Sequence, residues 1–234
     1  AAQLQHRGPD GQGFYCQGSV GLAHTRLSII DLTGGTQPIH NEQKDVWVIF
    51  NGEVFNYLEL RADLERQGHH FYTHSDTEVL VHLYEQYGDD FLHKLNGQFA
   101  LAIWDARRHR VLLARDRVGI APLFYQQTAG RLLFASEVKA LLTLSQTAPR
   151  LDPAALDQIF TFWAPVSPTT AFADVQELSP GQALVVENGK LHVWRWWDWQ
   201  FPQHEAAYLQ ADENTLAEQL HDLLVDATRI RLRA

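Results

Sequence analysis

Two stretches in the middle of the chain restrict the possible architectures most. QFALAIWDARRHRVLLAR, residues 98 to 115, reads as two apolar strands around a polar turn, and PLFYQQTAGRLLFAS repeats the pattern with Thr-Ala-Gly at its bend. Short strands joined by tight turns pair antiparallel, so Leu123 to Gln127 and Leu132 to Ala135 should be neighbours in one sheet. QALVVE, ENGK and LHVWRW make a third unit of the same kind near the C-terminus. Repeated antiparallel hairpins argue against a parallel doubly wound sheet.

Helical patterns flank these strands. Tyr57, Leu60 and Leu64 recur at helical spacing before Gly68, with Asn56 as the expected cap. Ser75 and Glu78 match a capping box, which puts Asp76 at the first helical position. Val79, Leu80, Leu83, Tyr84 and Tyr87 supply the apolar face of that helix. Further helices are expected over SEVKALLTL and residues 152 to 162. A strand is expected near Val20 and another over Leu27 to Ile30. The sum is an α+β chain with helices packed over antiparallel sheets.

Residues 200–211 lose periodicity and read as a linker. Leu216, Leu220, Leu223, Leu224 and Ala227 then mark one face of a helix over 212–234 whose partner is expected in a further domain.

The 234 residues carry a formal net charge of −9, with Lys and Arg scattered, which disfavours a nucleic-acid partner. No apolar run approaches the roughly 18 residues of a membrane span, and the first residues do not form a signal peptide. Cys16 is the sole cysteine, so no intrachain disulfide or multi-cysteine metal site is available, and a reducing, cytoplasmic setting fits. The 12 histidines show no HExxH-like spacing; His69 and His70 read as surface or strand-edge residues and not as ligands, and His204 lies in the linker-like stretch. Asp116, between Arg115 and Arg117, reads as part of a structural ion-pair network. The ring-rich WRWW at 194 to 197 reads as core or interdomain packing.

The informative corner is FNGEVFNY, residues 50 to 57, where Asn-Gly follows the apolar strand VWVIF. Asn-Gly is either a plain turn or a pair of donors, the Asn51 carboxamide and the Gly52 amide, aimed at a developing oxyanion. Arg26 sits among apolar strand residues, and its guanidinium suits a substrate carboxylate. Asp76 either receives an ammonium group or serves as a helix-capping acid, and Glu53 either holds a polar substrate group or braces the corner. Taken together these residues match an α-amino acid.

HRGPDGQG, GLAHTRLSIIDLTGGTQPIHNE, FNGEVFNY, SDTEVLVHLYEQYG, LNGQFALAIWD, LLARDRVGIAPLFY and FASEVKALL, in this order, resemble the glutamine amidotransferase domain of glutamine-hydrolysing asparagine synthetases. The likeness runs over almost the whole chain: residues 1–199 resemble the amidotransferase domain, and the helix over 212–234 resembles the opening helix of a C-terminal synthetase domain. The resemblance implies an N-terminal-nucleophile hydrolase fold, a four-layer αββα sandwich, here without its first strand. It implies glutamine hydrolysis by an N-terminal cysteine whose own α-amine is the general base. It assigns Asn51 and Gly52 to the oxyanion hole and Arg26, Glu53 and Asp76 to substrate binding, Arg26 on the α-carboxylate and Asp76 chiefly on the α-ammonium.

The implied partners are L-glutamine, the synthetase domain of the same chain and a second copy in a homodimer. No cofactor is implied for the amidotransferase domain; ATP and magnesium are implied for the synthetase domain, with aspartate as the default acceptor. A different acceptor, or a scaffold that has lost glutaminase activity, are the alternatives. Two residues depart from the family pattern. The nucleophile precedes HRGPD in the family, whereas Cys16 follows it and reads as structural or incidental; with Ala at position 1, the chain as written is expected not to hydrolyse glutamine. Ala121 stands where many relatives carry Lys, which implies altered local packing.

Overall fold

The computed structural model describes residues 1–32, 34–128, 130–145, 148–204 and 208–233. Its strands are β1 (Gly11–Gln17), β2 (Val20–Arg26), β3 (Ile39–His40), β4 (Val46–Val54), β5 (Gly97–Asp105), β6 (Arg110–Arg115), β7 (Phe124–Thr128), β8 (Arg131–Ala135), β9 (Gln176–Glu177), β10 (Gln182–Glu187) and β11 (Lys190–Arg195). The helices are α1 (Tyr57–Arg66), α2 (Glu78–Tyr87), α3 (Val138–Leu144), α4 (Pro153–Phe162) and α5 (Glu213–Arg231). Two units result, residues 1–197 and the segment that carries α5.

The three hairpins form as expected and build two sheets. A six-stranded antiparallel sheet runs β11-β10-β6-β5-β4-β3, and a three-stranded sheet runs β8-β7-β9. β1 and β2 pair separately, with Gly11 opposite Arg26. Side chains alternate across a strand, so the large sheet has two apolar faces. Val46, Val48, Phe50 and Val54 of β4 join Phe99, Leu101 and Ile103 of β5 against Leu80 and Leu83 of α2. The opposite face, with Ala100, Ala102, Leu113 and Leu184, meets Leu123 and Tyr125 from the second sheet. α3 packs on β7 and β8. The order α1/α2, sheet, sheet, α3 is the αββα sandwich that the resemblance implied. Each fully buried Leu or Phe here contributes about 1.5–3 kcal/mol of transfer free energy.

Several local expectations are corrected. Leu27 to Ile30 is not a strand: β2 ends at Arg26, Leu27 and Ile29 are exposed, and the backbone turns so that its carbonyls can meet the Arg26 guanidinium. Asn51-Gly52 is not a turn, because β4 continues through both residues to Val54. Asn56 precedes α1, but its carboxamide bonds Lys94 O and Asn96 N at 2.9 Å each and ties that corner to the entry of β5. Asp76 lies two residues before α2. Glu78, expected to close a capping box, instead accepts the amides of Tyr72 and Thr73 at 2.8 and 2.6 Å. Asp116 serves structure through backbone amides rather than ion pairs: its carboxylate accepts from Phe99, Val118, Gly119, Ile120 and Ala121. Trp196 is buried in the core as read.

α5 starts after Asp212, whose carboxylate accepts the amides of Asn214 and Thr215 at 3.1 Å each. Leu220, Leu223 and Leu224 on this helix are exposed. Of the expected linker, residues 200–204 and 208–211 form neither helix nor strand, and 205–207 lie outside the described residues. No helix among the described residues is long and apolar enough to cross a membrane.

Candidate functional site

Beyond Val48 the β4 strand is paired on one side only, because β3 covers just Trp47 and Val48. Phe55 N–H donates to Asn96 O at 2.8 Å, which sets the alternation of the ladder: odd-numbered amides point at β5, and those of Phe50, Gly52 and Val54 point to the open edge. Phe50 N–H donates to Gln37 Oε1 at 2.6 Å, and Val54 N–H donates to Asp76 Oδ2 at 2.9 Å. Gly52 N–H lies between them, with no acceptor among the described residues.

Glycine is required at this point. Gly52 has φ +150°, and a Cβ there would collide with Gln98 O and lie 2.7 Å from Phe99 Cα on β5. Its neighbours Asn51 and Glu53 are half-buried and project from the sheet face opposite Phe50.

Arg26 ends β2. Its Nη2 donates to Ile30 O and Asp31 O at 3.0 and 2.6 Å, and its Nη1 donates to Gly34 O. Three of five guanidinium donors are used, leaving Nε–H and one Nη1–H for a ligand. Asp31 braces the same loop: its carboxylate accepts Gly34 N and His74 N at 2.9 Å each. Slight burial pushes the Asp31 carboxyl up, but those two amides and the charges of His74 and Arg26 hold it below its ordinary range. A Cβ on Gly35 would sit 3.0 Å from Arg26 Nη2 and 3.1 Å from Ser75 Cβ, so the guanidinium lies beside the Ser75–Asp76 turn.

Arg26, with Gly13, His24, Ser28 and Gln37, lines a cleft of about 200 Å³. Burial pushes the Asp76 carboxyl up to about 6, against the Val54 amide and the Ser75 hydroxyl that favour its ionised form; the negative charge of Glu53 adds to the rise. His24 is driven down to about 4, chiefly by burial and also by Arg26, and is therefore neutral at pH 7. Its Nε2 lies 3.1 Å from Phe50 O and its buried Nδ1 has no partner among the described residues.

The structure thus brings Arg26, Glu53 and Asp76 together beside the open edge that exposes Gly52. Cys16 is exposed on β1, five ladder positions from the Gly11–Arg26 pair, roughly 16 Å away at ~3.3 Å per residue. Three participants carried no sequence signal strong enough to single them out: Gln37, which clamps both backbone groups of Phe50, His24 and Asp31. The only hint was their position within HTRLSIIDLTGGTQP, a polar-punctuated stretch beside the predicted strand.

Residues 1–197 match the family model described as glutamine amidotransferase domain. Asparagine synthetase [glutamine-hydrolyzing] 1 of Bacillus subtilis is 36% identical over 232 residues, covering 99% of this chain and 36% of the relative. Amidase chry2 of Gibberella zeae is 36% identical over 235 residues, covering 99% of this chain and 34% of that protein. Among solved structures, the glutamine phosphoribosylpyrophosphate amidotransferase of B. subtilis superposes with a TM-score of 0.53 at 24% identity, over 75% of this chain and 34% of that one, a likeness of fold. The chain spans about a third of the length of the curated relatives it matches. The matched span holds both sheets and every residue of the open β4 edge, and the chain belongs to the glutamine amidotransferase domain family.

Proposed function

We propose that residues 1–197 bind L-glutamine at the open edge of β4 and form the site at which the full-length protein releases the side-chain nitrogen as ammonia. The observation that carries this reading is the Gly52 amide, left facing outward between two neighbours whose amides are already taken by Gln37 and Asp76. Arg26 holds the α-carboxylate with its remaining donors, and Asp76 holds the α-ammonium, with Glu53 adding negative charge on the same side.

In the chemistry implied by the family resemblance, a thiolate attacks the side-chain amide carbon. The C=O electron pair moves to oxygen, and the oxyanion forms where Gly52 N–H and the Asn51 carboxamide donate. Collapse of this intermediate expels ammonia once the leaving nitrogen is protonated, and water then releases glutamate from the thioester. Cys16, exposed on β1 and roughly 16 Å from Arg26 at ~3.3 Å per residue, is too far away to be that thiol.

The ammonia serves a C-terminal synthetase domain that activates a carboxylic acid with ATP and magnesium, aspartate being the default acceptor, in a cytoplasmic enzyme. The likeness to Amidase chry2, equal in identity to that of the asparagine synthetase, favours keeping a second reading in which another carboxylic acid is amidated. Glutamate release by the full-length protein, with and without each candidate acid and ATP, tests both. Glutamate formation that is absent in the full-length protein sinks the glutaminase reading; ATP-dependent amide formation on an acid other than aspartate selects the second.

A further inference from the structure

Behind the β4 edge, α2 carries a buried imidazole that the amidotransferase chemistry leaves unused. His82 is fully buried, and among the described residues neither ring nitrogen makes a hydrogen bond; Glu85 Oε2, one turn on, is likewise buried and unbonded there. Nδ1 of His82 faces Glu42 Oε2 at 3.4 Å and Glu85 Oε2 at 3.7 Å, and Glu42 Oε1 lies 3.5 Å from His69 Nδ1. One donor atom from each of Glu42, His69, His82 and Glu85 falls within 4.8 Å of the others. His69, read from sequence as a surface or strand-edge residue, is half-buried with its ring centroid 4.9 Å from that of His82.

We propose that Glu42, His69, His82 and Glu85 form a four-coordinate site for a divalent transition-metal ion of the zinc class. The separations carry the argument. Charge-assisted hydrogen bonds between imidazolium and carboxylate close to about 2.7–2.9 Å, shorter than any contact here. A tetrahedron with metal–ligand bonds of about 2.0–2.2 Å has edges of about 3.3–3.6 Å. The His82 Nδ1 separations from Glu42 Oε2 and Glu85 Oε2, 3.4 and 3.7 Å, are close to this, and the whole set, within 4.8 Å, closes onto an ion by side-chain rotation. Two imidazoles and two carboxylates suit zinc, whereas calcium and magnesium select oxygen-only sets, and the two carboxylates neutralise a divalent charge.

The surroundings hold the four side chains as an outer shell does. Asn41 Nδ2 donates to Glu85 Oε1 at 2.7 Å, which leaves Oε2 for the ion, and His70 N–H donates to Glu42 Oε1 at 2.9 Å. Glu78, fixed by the amides of Tyr72 and Thr73, faces His82 Nε2 at 3.6 Å, on the side of the ring away from Glu42 and Glu85. The Glu42 and His69 side chains are 25% and 15% exposed, which gives an ion its way in. An ion here ties the β3–β4 connection and the segment before α2 to the helix.

The test is zinc binding to the chelator-stripped protein, measured by competition with a chromophoric chelator, together with the visible spectrum of the cobalt(II) form. One equivalent bound below micromolar Kd, with the intense visible absorption of tetrahedral cobalt(II), is expected. Glu42→Gln and His69→Gln, both at partly exposed positions, should each weaken zinc at least 100-fold with unchanged circular dichroism. If the parent protein takes up no equivalent, the cluster holds only a proton on His82 and the proposal is overturned. It is equally overturned if zinc binds but both variants retain the parent affinity, which places the ion elsewhere.

Discussion

Asp76 Oδ2 accepts the Val54 amide at 2.9 Å, and this one bond joins the turn before α2 to the open edge of β4. The carboxylate is thereby fixed near Glu53, in the turn whose Ser75 lies beside the Arg26 guanidinium, a place sequence spacing could not show. Asp76→Asn keeps an oxygen for Val54 but removes the charge. In the full-length protein it should raise the glutamine KM at least 10-fold while moving the unfolding midpoint little; Asp76→Ala should in addition lose about 1–3 kcal/mol in denaturant unfolding. With its pKa near 6, Asp76 must lose its proton before it can hold an ammonium, so the parent KM should climb as pH drops below about 6. A KM flat from pH 5 to 8 removes Asp76 from the substrate.

Asn51→Ala should lower turnover of glutamine about 100- to 1,000-fold with little change in stability, since the carboxamide makes no hydrogen bond among the described residues. Steady-state glutamate release checks this. Unchanged turnover returns Asn51 to a purely structural part.

Gly52→Ala behaves differently. Its Cβ meets strand backbone at Gln98 and Phe99 and cannot be moved aside by a rotamer change. An overpacking cost of about 1–3 kcal/mol or more should appear in the denaturation midpoint. Parent-like stability means β4 and β5 are further apart at this point than the structure places them.

Arg26→Ala strips three loop carbonyls of their shared cation as well as the proposed carboxylate clamp. Glutamine KM should rise roughly 100-fold, and Arg26→Lys should recover only part of it, because an ammonium lacks the planar fork. Full recovery in the lysine variant indicates that charge alone suffices.

His24 and Asp76 give opposing pH terms in overlapping windows. The folded pKa of His24 is about 4 against 6.5 when unfolded, so the unfolded chain binds the extra proton and stability falls as pH drops from about 6.5 to 4. Asp76, raised to about 6 from 3.8, binds its proton more readily when folded, so its contribution grows as pH drops from about 6 to 3.8. Each amounts to about 3 kcal/mol at 1.36 kcal/mol per pKa unit. His24→Gln, whose amide still reaches Phe50 O, should remove the first contribution and become more stable at pH 4 than at pH 7 relative to the parent. Urea unfolding at the two pH values checks this, and parallel curves for parent and variant refute the assignment.

The sequence by itself determined the hairpins and α2, and it singled out Arg26, Asn51, Gly52, Glu53 and Asp76 as candidates, because alternation, helical spacing and ordered motifs are local signals. The tertiary structure decided what those residues face. Asn-Gly at 51 and 52 has a turn-prone composition, yet pairing with β5 over nine residues keeps it extended and turns the Gly52 amide outward. Leu27 to Ile30 has strand-like residues, but the half-buried guanidinium of Arg26 takes its carbonyl acceptors from the turning backbone that follows. Gln37, His24 and the His82 cluster were illegible for the same reason: hydrogen bonds and burial between residues 13 to 44 positions apart follow from packing, and no short window of sequence contains both partners.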